Sequence, residues 1–211
     1  METILISKPS ILVDNTLPIL YNQEGTVVKN KLFAGDFSFF QKPVRNTVPT
    51  STMSVVEVYN LITSHQYEHQ TKILRTLTDK DTARNYKANN FDYACFSGIF
   101  YKRSEAGLIV HSSLLTLDFD HVNDLQGLKH KLIYNYYFDT ILTFTSPSGD
   151  GLKWIIKIDL TKNSHLSWFI AIADYCRYNY YLEVDKSGKD VSRCCFLPYD
   201  PDAYINPQYI K

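Results

Sequence analysis

The chain has 211 residues and a mass of 24.4 kDa, and 45% of its residues are hydrophobic, which leaves room for a packed core and is not the composition of an intrinsically disordered protein. Its formal net charge is zero, which excludes a uniformly basic protein, and no apolar run is long enough to span a membrane. The four cysteines, two of them adjacent, fit neither a disulfide framework nor a CxxC metal pair. Because the N-terminus also lacks a signal-peptide pattern, we expect a cytoplasmic protein with buried thiols and no membrane contact.

The N-terminal half is predicted to form an α/β subregion, residues 1–105, that packs on the rest of the chain. Residues 1–50 alternate short apolar runs with turn formers, which predicts short strands. From Ser51, Thr52 or Ser54 onward apolar residues recur at helical spacing, and Glu57, three residues after Ser54, matches the pattern of a capping box. A second helix is predicted near residues 68–78.

The C-terminal half, residues 106–211, alternates apolar runs of strand length with two segments of helical periodicity. The resulting order, β-α-β-β-α-β, is the split βαβ arrangement of ferredoxin-like and RRM-like folds. We therefore predict an α+β protein with this core. The predicted elements are strands at 114–119, 140–145, 152–158 and 193–197, and helices at 123–134 and 164–178.

This topology brings three separate segments to one end of the sheet. Right-handed crossovers make the first two strands parallel and place the third, antiparallel, beside the first. The fourth strand is also expected to run antiparallel to the first. The segments that should meet are 118–120, 146–153 and 185–193.

The first segment carries two carboxylates, Asp118 and Asp120, that share one face of a strand because residues two apart point the same way. Side by side they repel unless they share a cation, and Mg²⁺ or Mn²⁺ prefers such oxygen ligands together with phosphate oxygens. We therefore expect a divalent metal here. The alternative is a strand that ends in a solvated acidic loop.

The second segment, SPSGDGLK at 146–153, is a glycine turn that ends in a cation. Gly149 and Gly151 permit a tight turn whose amides approach an anion, and Lys153 supplies a point charge to a triphosphate. The segment lacks the GK[ST] pattern of a Walker loop. An ordinary glycine hairpin is the alternative interpretation.

The third segment, VDKSGKDVSRCCF at 184–196, adds further carboxylates and an arginine. Asp185 and Asp190 are candidate metal ligands or groups that orient a ligand, and Arg193 is a candidate partner for phosphate or carboxylate. A simple polar turn is the alternative.

Residues 72–103 hold seven Lys/Arg against three Asp/Glu, which is a local excess of positive charge. Such a segment can follow the phosphates of a nucleic-acid template, or it can form a solvated surface. The candidate nucleic-acid-binding residues are Lys72, Arg75, Arg84, Lys87 and Arg103.

A zinc site is a weaker hypothesis. Residues 65–69, HQYEH, match the HxxEH pattern of inverzincin proteases, but no third ligand can be assigned and so short a match arises easily by chance. A relaxase would need a His-x-His metal pair, which the sequence lacks.

Together, LDFD, SPSGDGLK and VD followed by arginine resemble the three catalytic motifs of the archaeo-eukaryotic primase superfamily. That family has an acidic hDhD or hDhE motif, a small-residue sGxGxH or sxH motif, and an hD motif followed by arginine. Within that superfamily, the chain resembles the primase-like domain at the N-terminus of virulence-associated E-type proteins of bacterial mobile elements, which is often fused to a helicase. The stretches YKANNFDYACFSGIF and YDPDAYIN add to the resemblance, which covers residues 50–206.

The resemblance implies roles for nine residues. Lysine stands at Lys153 where primases commonly carry histidine. The implied metal ligands and catalytic residues are Asp118, Asp120 and Asp185, the implied nucleotide-binding residues are Ser146, Ser148, Gly149, Gly151, Lys153 and Arg193, and Asp190 is a candidate for a supporting role.

The resemblance also implies a primase-polymerase-like fold and metal-dependent, template-directed nucleotide transfer in the replication of a bacterial mobile element. The implied cofactor is Mg²⁺ or Mn²⁺, and the implied partners are nucleoside triphosphates, a single-stranded DNA template and a helicase domain or protein. The alternative is a catalytically inactive nucleic-acid-binding or replisome-docking module with a primase fold, in which some of the 16 Tyr and 12 Phe residues stack on bases. Affinity for metal separates the two, because a docking module does not need it.

Overall fold

The computed structural model describes residues 35–210 and the backbone of two short strands, β1 (Leu20–Tyr21) and β2 (Val27–Val28). β1 and β2 pair antiparallel within a first unit, Met1–Phe33, and the chain from Ala34 to Lys211 forms a second unit. The other short strands predicted within residues 1–34 lie outside the described residues. The boundary predicted between residues 105 and 106 stays a prediction.

The second unit mixes helices with antiparallel strands, which confirms the α+β class. Its elements are β3 (Phe37–Phe40), β4 (Ser51–Met53), α1 (Val55–Thr63), α2 (Glu68–Thr76), α3 (Lys80–Asn90), β5 (Tyr93–Cys95), β6 (Gly98–Phe100), β7 (Leu108–His111), β8 (Leu114–Phe119), α4 (Leu125–Ile133), β9 (Thr140–Thr145), β10 (Leu152–Lys157), α5 (His165–Tyr180), β11 (Cys195–Phe196) and β12 (Tyr204–Ile205). Short 3₁₀ helices lie at His65–Tyr67, Glu105–Gly107, Lys186–Lys189 and Pro207–Tyr209.

The helix predictions for the N-terminal half are confirmed where the structure describes it. Ser54 caps α1, its side chain accepts from the amide of Glu57, and the Glu57 carboxylate accepts from the Ser54 amide at 2.7 Å. α2 lies within the predicted second helix. α3 was not predicted, because it has no buried residue and therefore no apolar periodicity.

The main sheet has the strand order β12-β9-β10-β8. As predicted, β10 lies between β8 and β9 and runs antiparallel to both, so β8 and β9 are parallel. Lys153 of β10 stands opposite Asp118 of β8 in this register. Two of the three site segments are thus neighbours through strand pairing alone.

The prediction that residues 193–197 form the fourth strand of this sheet, beside β8, is wrong. The segment 193–197 contributes only β11, which pairs with β5 in a second sheet of order β11-β5-β3-β4. The place beside β8 is taken by the segment that includes the 3₁₀ helix Lys186–Lys189, where the Asp185 amide donates to the Asp118 carbonyl at 2.8 Å.

Local side-chain hydrogen bonds explain why this segment forms turns instead of a strand. The Asp185 carboxylate accepts from the Ser187 amide at 2.9 Å, and the Asp190 carboxylate accepts from the Ser192 amide at 2.8 Å. Short polar side chains that bind nearby amides offer the backbone an alternative to a sheet ladder. At the opposite edge of the main sheet, β12 pairs with β9.

The two faces of the main sheet pack against different elements. Leu117, Phe119 and Trp154 are buried in a cluster formed with α4 and α5. On the other face, Leu142 and Ile155 pack in a cluster with residues of α1, β3 and β5. The strand alternation of β8 and β10 places Asp118 and Lys153 on this second face, between the two sheets.

The four cysteines are free thiols; Cys95, Cys176 and Cys195 are buried as predicted, whereas Cys194 is half-buried. Within the described residues, no helix has both the length and the apolar character that crossing a bilayer requires.

Candidate metal and phosphate site

The three carboxylates implied as metal ligands lie together. One oxygen of each of Asp118, Asp120 and Asp185 falls within 4.8 Å of the other two. Asp118 comes from the end of β8, Asp120 follows it on the same face, and Asp185 reaches the group from the segment beside β8. The spatial convergence predicted from the sequence is therefore correct, although a turn and not a fourth strand produces it.

Asp118 is the most buried of the three acids, with 8% of its surface exposed. Its Oδ2 contacts the Nζ of Lys153, which is directly opposite on β10. Burial raises the pKa of the Asp118 carboxyl, against the effect of the Lys153 ammonium. Burial alone would lower the pKa of Lys153, but the charge and hydrogen bond of Asp118, together with the nearby Cys195 and Asp120, raise it.

The other carboxylate oxygen of Asp118, Oδ1, is buried and has no hydrogen-bond partner among the described residues. A buried carboxylate oxygen without a donor is costly, and a hard cation is the ligand that best satisfies it. With Asp120 and Asp185 nearby, the oxygen donors have the chemistry that Mg²⁺ or Mn²⁺ prefers. These residues thus fit the implied metal.

The glycine loop between β9 and β10 is held closed by Ser146. The Ser146 carbonyl accepts from the Gly149 amide at 3.0 Å, and its hydroxyl accepts from the Gly151 amide at 3.2 Å. Gly149 has a φ of 87°, in the left-handed region that favours glycine. The amides of both glycines are thus used within the loop. The exposed Ser148 and Lys153, whose ammonium is paired with Asp118, border the same cleft.

The end of β8 is joined to the same loop by two hydrogen bonds. The Val122 amide donates to the Asp150 carbonyl at 2.8 Å, and His121 Nδ1 lies 2.7 Å from the Asp150 carboxylate. These contacts link the chain after Asp120 to the loop before Lys153. The carboxylates and the loop are therefore one connected structure.

Arg193 holds Asp185 in place on the far side of the acidic group. Its Nη2 donates to Asp185 Oδ2 at 2.7 Å, and Ser187 donates to the same carboxylate through its hydroxyl at 2.6 Å. Burial alone would raise the pKa of Asp185, but the Ser187 hydrogen bonds and the charge of Arg193 lower it. Asp190 is exposed and lies outside the acidic group; its carbonyl accepts from the Arg193 amide at 3.0 Å.

These segments border a cleft of about 130 Å³. Pro147, Cys194 and Phe196 line this cleft but were not predicted as site residues from the sequence. Lys87 was predicted to contact a template, and it also lines the cleft. Lys87 reaches the cleft from α3, with its Nζ 5.9 Å from the centre of the Phe196 ring. Burial lowers the pKa of Lys87, and Lys153 acts in the same direction, against the nearby acids.

The other predicted template residues are dispersed. Arg75 donates to the carbonyls of Pro147 at 3.3 Å and Ser146 at 3.4 Å, so it supports the glycine loop. Arg103 donates to the Val44 carbonyl at 3.1 Å. Lys72 and Arg84 are exposed and lie near Glu68 and Asp81 on their own helices.

The HxxEH match does not form a zinc centre. His65 Nδ1 lies 2.9 Å from the Glu68 carboxylate, which is the residue that a zinc protease would use as its base. In residues 35–210, the His, Cys, Asp and Glu side chains form a group suited to a metal at Asp118, Asp120 and Asp185, and not at His65 or His69.

A family model described as "BT4734-like, N-terminal domain" matches residues 85–205, more than half of the chain. The chain belongs to the BT4734-like N-terminal domain family. No match to a curated protein or to a solved structure was found. The segment shared with the BT4734-like family runs from within α3 to β12 and contains every residue named above as lining the cleft.

Proposed function

We propose that this BT4734-like domain is a metal-dependent nucleotidyltransferase of the primase-polymerase type. The observation that carries the proposal is the group of three carboxylates, one with an unsatisfied buried oxygen, beside a glycine loop and three cations. A site that brings acidic and basic side chains together in this way suits a ligand with both charges, such as a divalent metal bound to a triphosphate.

The proposed fold is a variant of the ferredoxin-like or RRM-like core. The succession β8-α4-β9-β10-α5, with β10 between β8 and β9, supports this proposal. The variant lacks the usual fourth strand beside β8, where Asp185 and the turn that follows it lie. In primase-like proteins the corresponding motif carries the third acidic residue. In this chain Asp185 supplies that residue from a turn and not from a strand.

In the proposed reaction, the 3′-hydroxyl oxygen of a primer forms a bond to the α-phosphorus, the bond to pyrophosphate breaks, and the hydroxyl proton is released. A divalent ion held by Asp118, Asp120 and Asp185 would supply Lewis-acid stabilisation of the charge that develops on these oxygens. Lys153 and Ser148 would bind the phosphates, and Arg193 would keep Asp185 oriented.

The volume of the cleft determines which part of a nucleotide it can hold. At about 130 Å³ it is smaller than the ~300–1,000 Å³ of typical small-molecule pockets. It is therefore suited to the phosphates and the metal, and the base and sugar would lie at its mouth. Base selection would then come from pairing with a single-stranded template, as a templated polymerase requires.

The test is calorimetric binding of a nucleoside triphosphate in the presence of Mn²⁺, followed by primer synthesis on single-stranded DNA. The wild type is compared with Asp118→Asn/Asp120→Asn and with Asp81→Asn, an exposed acid on α3, as control. We expect metal-dependent binding in the wild type and control and its loss in the double variant. Equal binding by all three proteins would exclude the acidic group as the metal site.

A silent nucleic-acid-binding module is the second candidate, and one observation favours it. The carboxylates of Asp118 and Asp185 are already paired with Lys153 and Arg193, so each has a cationic partner without a metal. Binding of single-stranded DNA that is unchanged by removal of divalent ions, with no affinity for Mn²⁺, would identify this function instead.

A further inference from the structure

Lys153 is placed where it competes with a metal. Its ammonium contacts Asp118 Oδ2, and the two side chains are only 12% and 11% exposed. The pairing register fixes the contact, because Lys153 stands directly opposite Asp118 on the neighbouring strand. A cation is therefore already bound to the most buried carboxylate of the acidic group.

The formal charges of the acidic group and of the cations around it cancel without any ion. Asp118 and Asp120 line the cleft with Lys87, Lys153 and Arg193. Asp185, which is paired with Arg193 and lies against the other two acids, brings the group to three acids and three cations. A divalent ion placed against Asp118 would lie next to the Lys153 ammonium, and the two positive charges would repel strongly in so buried a place. One of the two cations must then move.

We infer that Lys153 is a built-in counter-cation, which occupies Asp118 in the metal-free site and is released into the cleft when a divalent ion binds. The inference rests on the proposed metal site. The released ammonium would lie in the cleft that Ser146, Pro147 and Ser148 line, where the phosphates of a nucleotide would lie. Lys153 would therefore weaken the binding of free metal and strengthen the binding of metal that arrives with a polyphosphate.

The first experiment measures binding of Mn²⁺ alone by electron paramagnetic resonance. Lys153→Met removes the competing charge at similar volume, and Lys157→Met changes the exposed lysine at the other end of β10 as a matched control. We expect Lys153→Met to bind Mn²⁺ roughly tenfold tighter than the wild type and the control, since a repulsion of about 1.4 kcal/mol corresponds to that factor. Asp118→Asn added to Lys153→Met should abolish the gain.

The second experiment uses the wild-type protein, because Lys153→Met leaves a buried carboxylate unpaired and can destabilise the fold. Lysines are acylated with a small reagent with and without Mn²⁺, and Lys153 and Lys157 are quantified by mass spectrometry. The buried, paired Lys153 should react slowly without metal and several-fold faster with it, whereas Lys157 should not change. Protection of Lys153 that persists at saturating Mn²⁺ would overturn the inference.

The outcomes separate the two proposals. If the wild type binds Mn²⁺ and Lys153→Met binds it no more tightly, the counter-cation role is wrong and the proposed metal site stands. If neither protein binds Mn²⁺, both the metal site and the role of Lys153 are wrong.

Discussion

The backbone amide of Asp185 donates a hydrogen bond to the carbonyl oxygen of Asp118 at 2.8 Å, which attaches the third acidic segment to the edge of β8. Behind this contact, Gly188 packs closely against β8 and α5. A Cβ at Gly188 would lie 2.8 Å from the Phe169 ring and 3.1 Å from the Thr116 carbonyl oxygen. The position of Asp185 thus depends on Gly188, because only a residue without a side chain fits this close to β8 and α5.

Gly188→Ala should therefore move the turn away from β8. We expect a loss of about 1–3 kcal/mol in the free energy of unfolding, typical of overpacking, together with weaker Mn²⁺ binding because Asp185 is displaced. Urea denaturation and calorimetry measure the two effects. Lys189→Ala, a change at the exposed neighbouring residue, should leave both unchanged. Wild-type Mn²⁺ affinity in Gly188→Ala would show that the turn does not position Asp185.

Arg75→Ala should loosen the glycine loop. Arg75 donates to two loop carbonyls, and its guanidinium lies against Gly149, 3.0 Å from where a Cβ would be. We expect the affinity for the triphosphate with Mn²⁺ to fall by about 1–2 kcal/mol, because ordering the loop would then oppose binding.

The matched control for Arg75 is Arg84→Ala, because the Arg84 side chain is 81% exposed on α3. Calorimetry on both variants gives the comparison. If both lost affinity equally, a general effect of positive charge on the anionic ligand would explain the result better than support of the loop.

Ser54→Ala should destabilise the fold without affecting the cleft. The capping box with Glu57 satisfies amides at the start of α1, and its loss costs about 1 kcal/mol. Thermal or urea denaturation measures the change. Ser54→Asp restores an acceptor at the cap and should recover most of the stability. A large effect of Ser54→Ala on triphosphate binding would show that Ser54 does more than cap α1.

The stability of the protein should depend on pH through a chain of two histidines. The Ser113 amide donates to His111 Nδ1 at 2.9 Å, so His111 carries its hydrogen on Nε2, 3.0 Å from His165 Nδ1. His165 Nε2 in turn lies 3.4 Å from the carbonyl of Gly188. Both rings are neutral in this arrangement, because each accepts one hydrogen bond and donates another.

Burial, together with His165, lowers the pKa of His111 from 6.5 to about 4, and burial lowers the pKa of His165 as well. Between those two pH values the unfolded chain binds more protons than the folded one. The free energy of unfolding should therefore be fully retained above about pH 6.5 and decrease as the pH falls towards about 4.

Urea midpoints measured at about pH 7.5 and about pH 5 check this dependence. In His111→Asn, an amide oxygen can still accept from the Ser113 amide but does not titrate, so the midpoint should fall less over the same interval. The same fall in both proteins would show that His111 does not cause the dependence.

Local patterns were enough to predict the elements that carry the motifs. β8 and β9 have the predicted bounds, and α1 begins after Ser54, one of the three predicted caps, because apolar runs and a capping box leave clear signatures over a few residues. The alternation along β8 also placed Asp118 on the face opposite Leu117 and Phe119.

Tertiary structure decided what lies beside those elements. β11 has two residues and pairs with β5 because packing between the sheets, and not its own pattern, selects its partner. Lys87 reaches the cleft from a helix without a buried residue, so no periodicity in the sequence indicates its direction. The sequence alone therefore determined which segments carry the charged groups, whereas the contacts between Lys153 and Asp118 and between Arg193 and Asp185 required the fold, since side chains distant in sequence meet only when the core is packed.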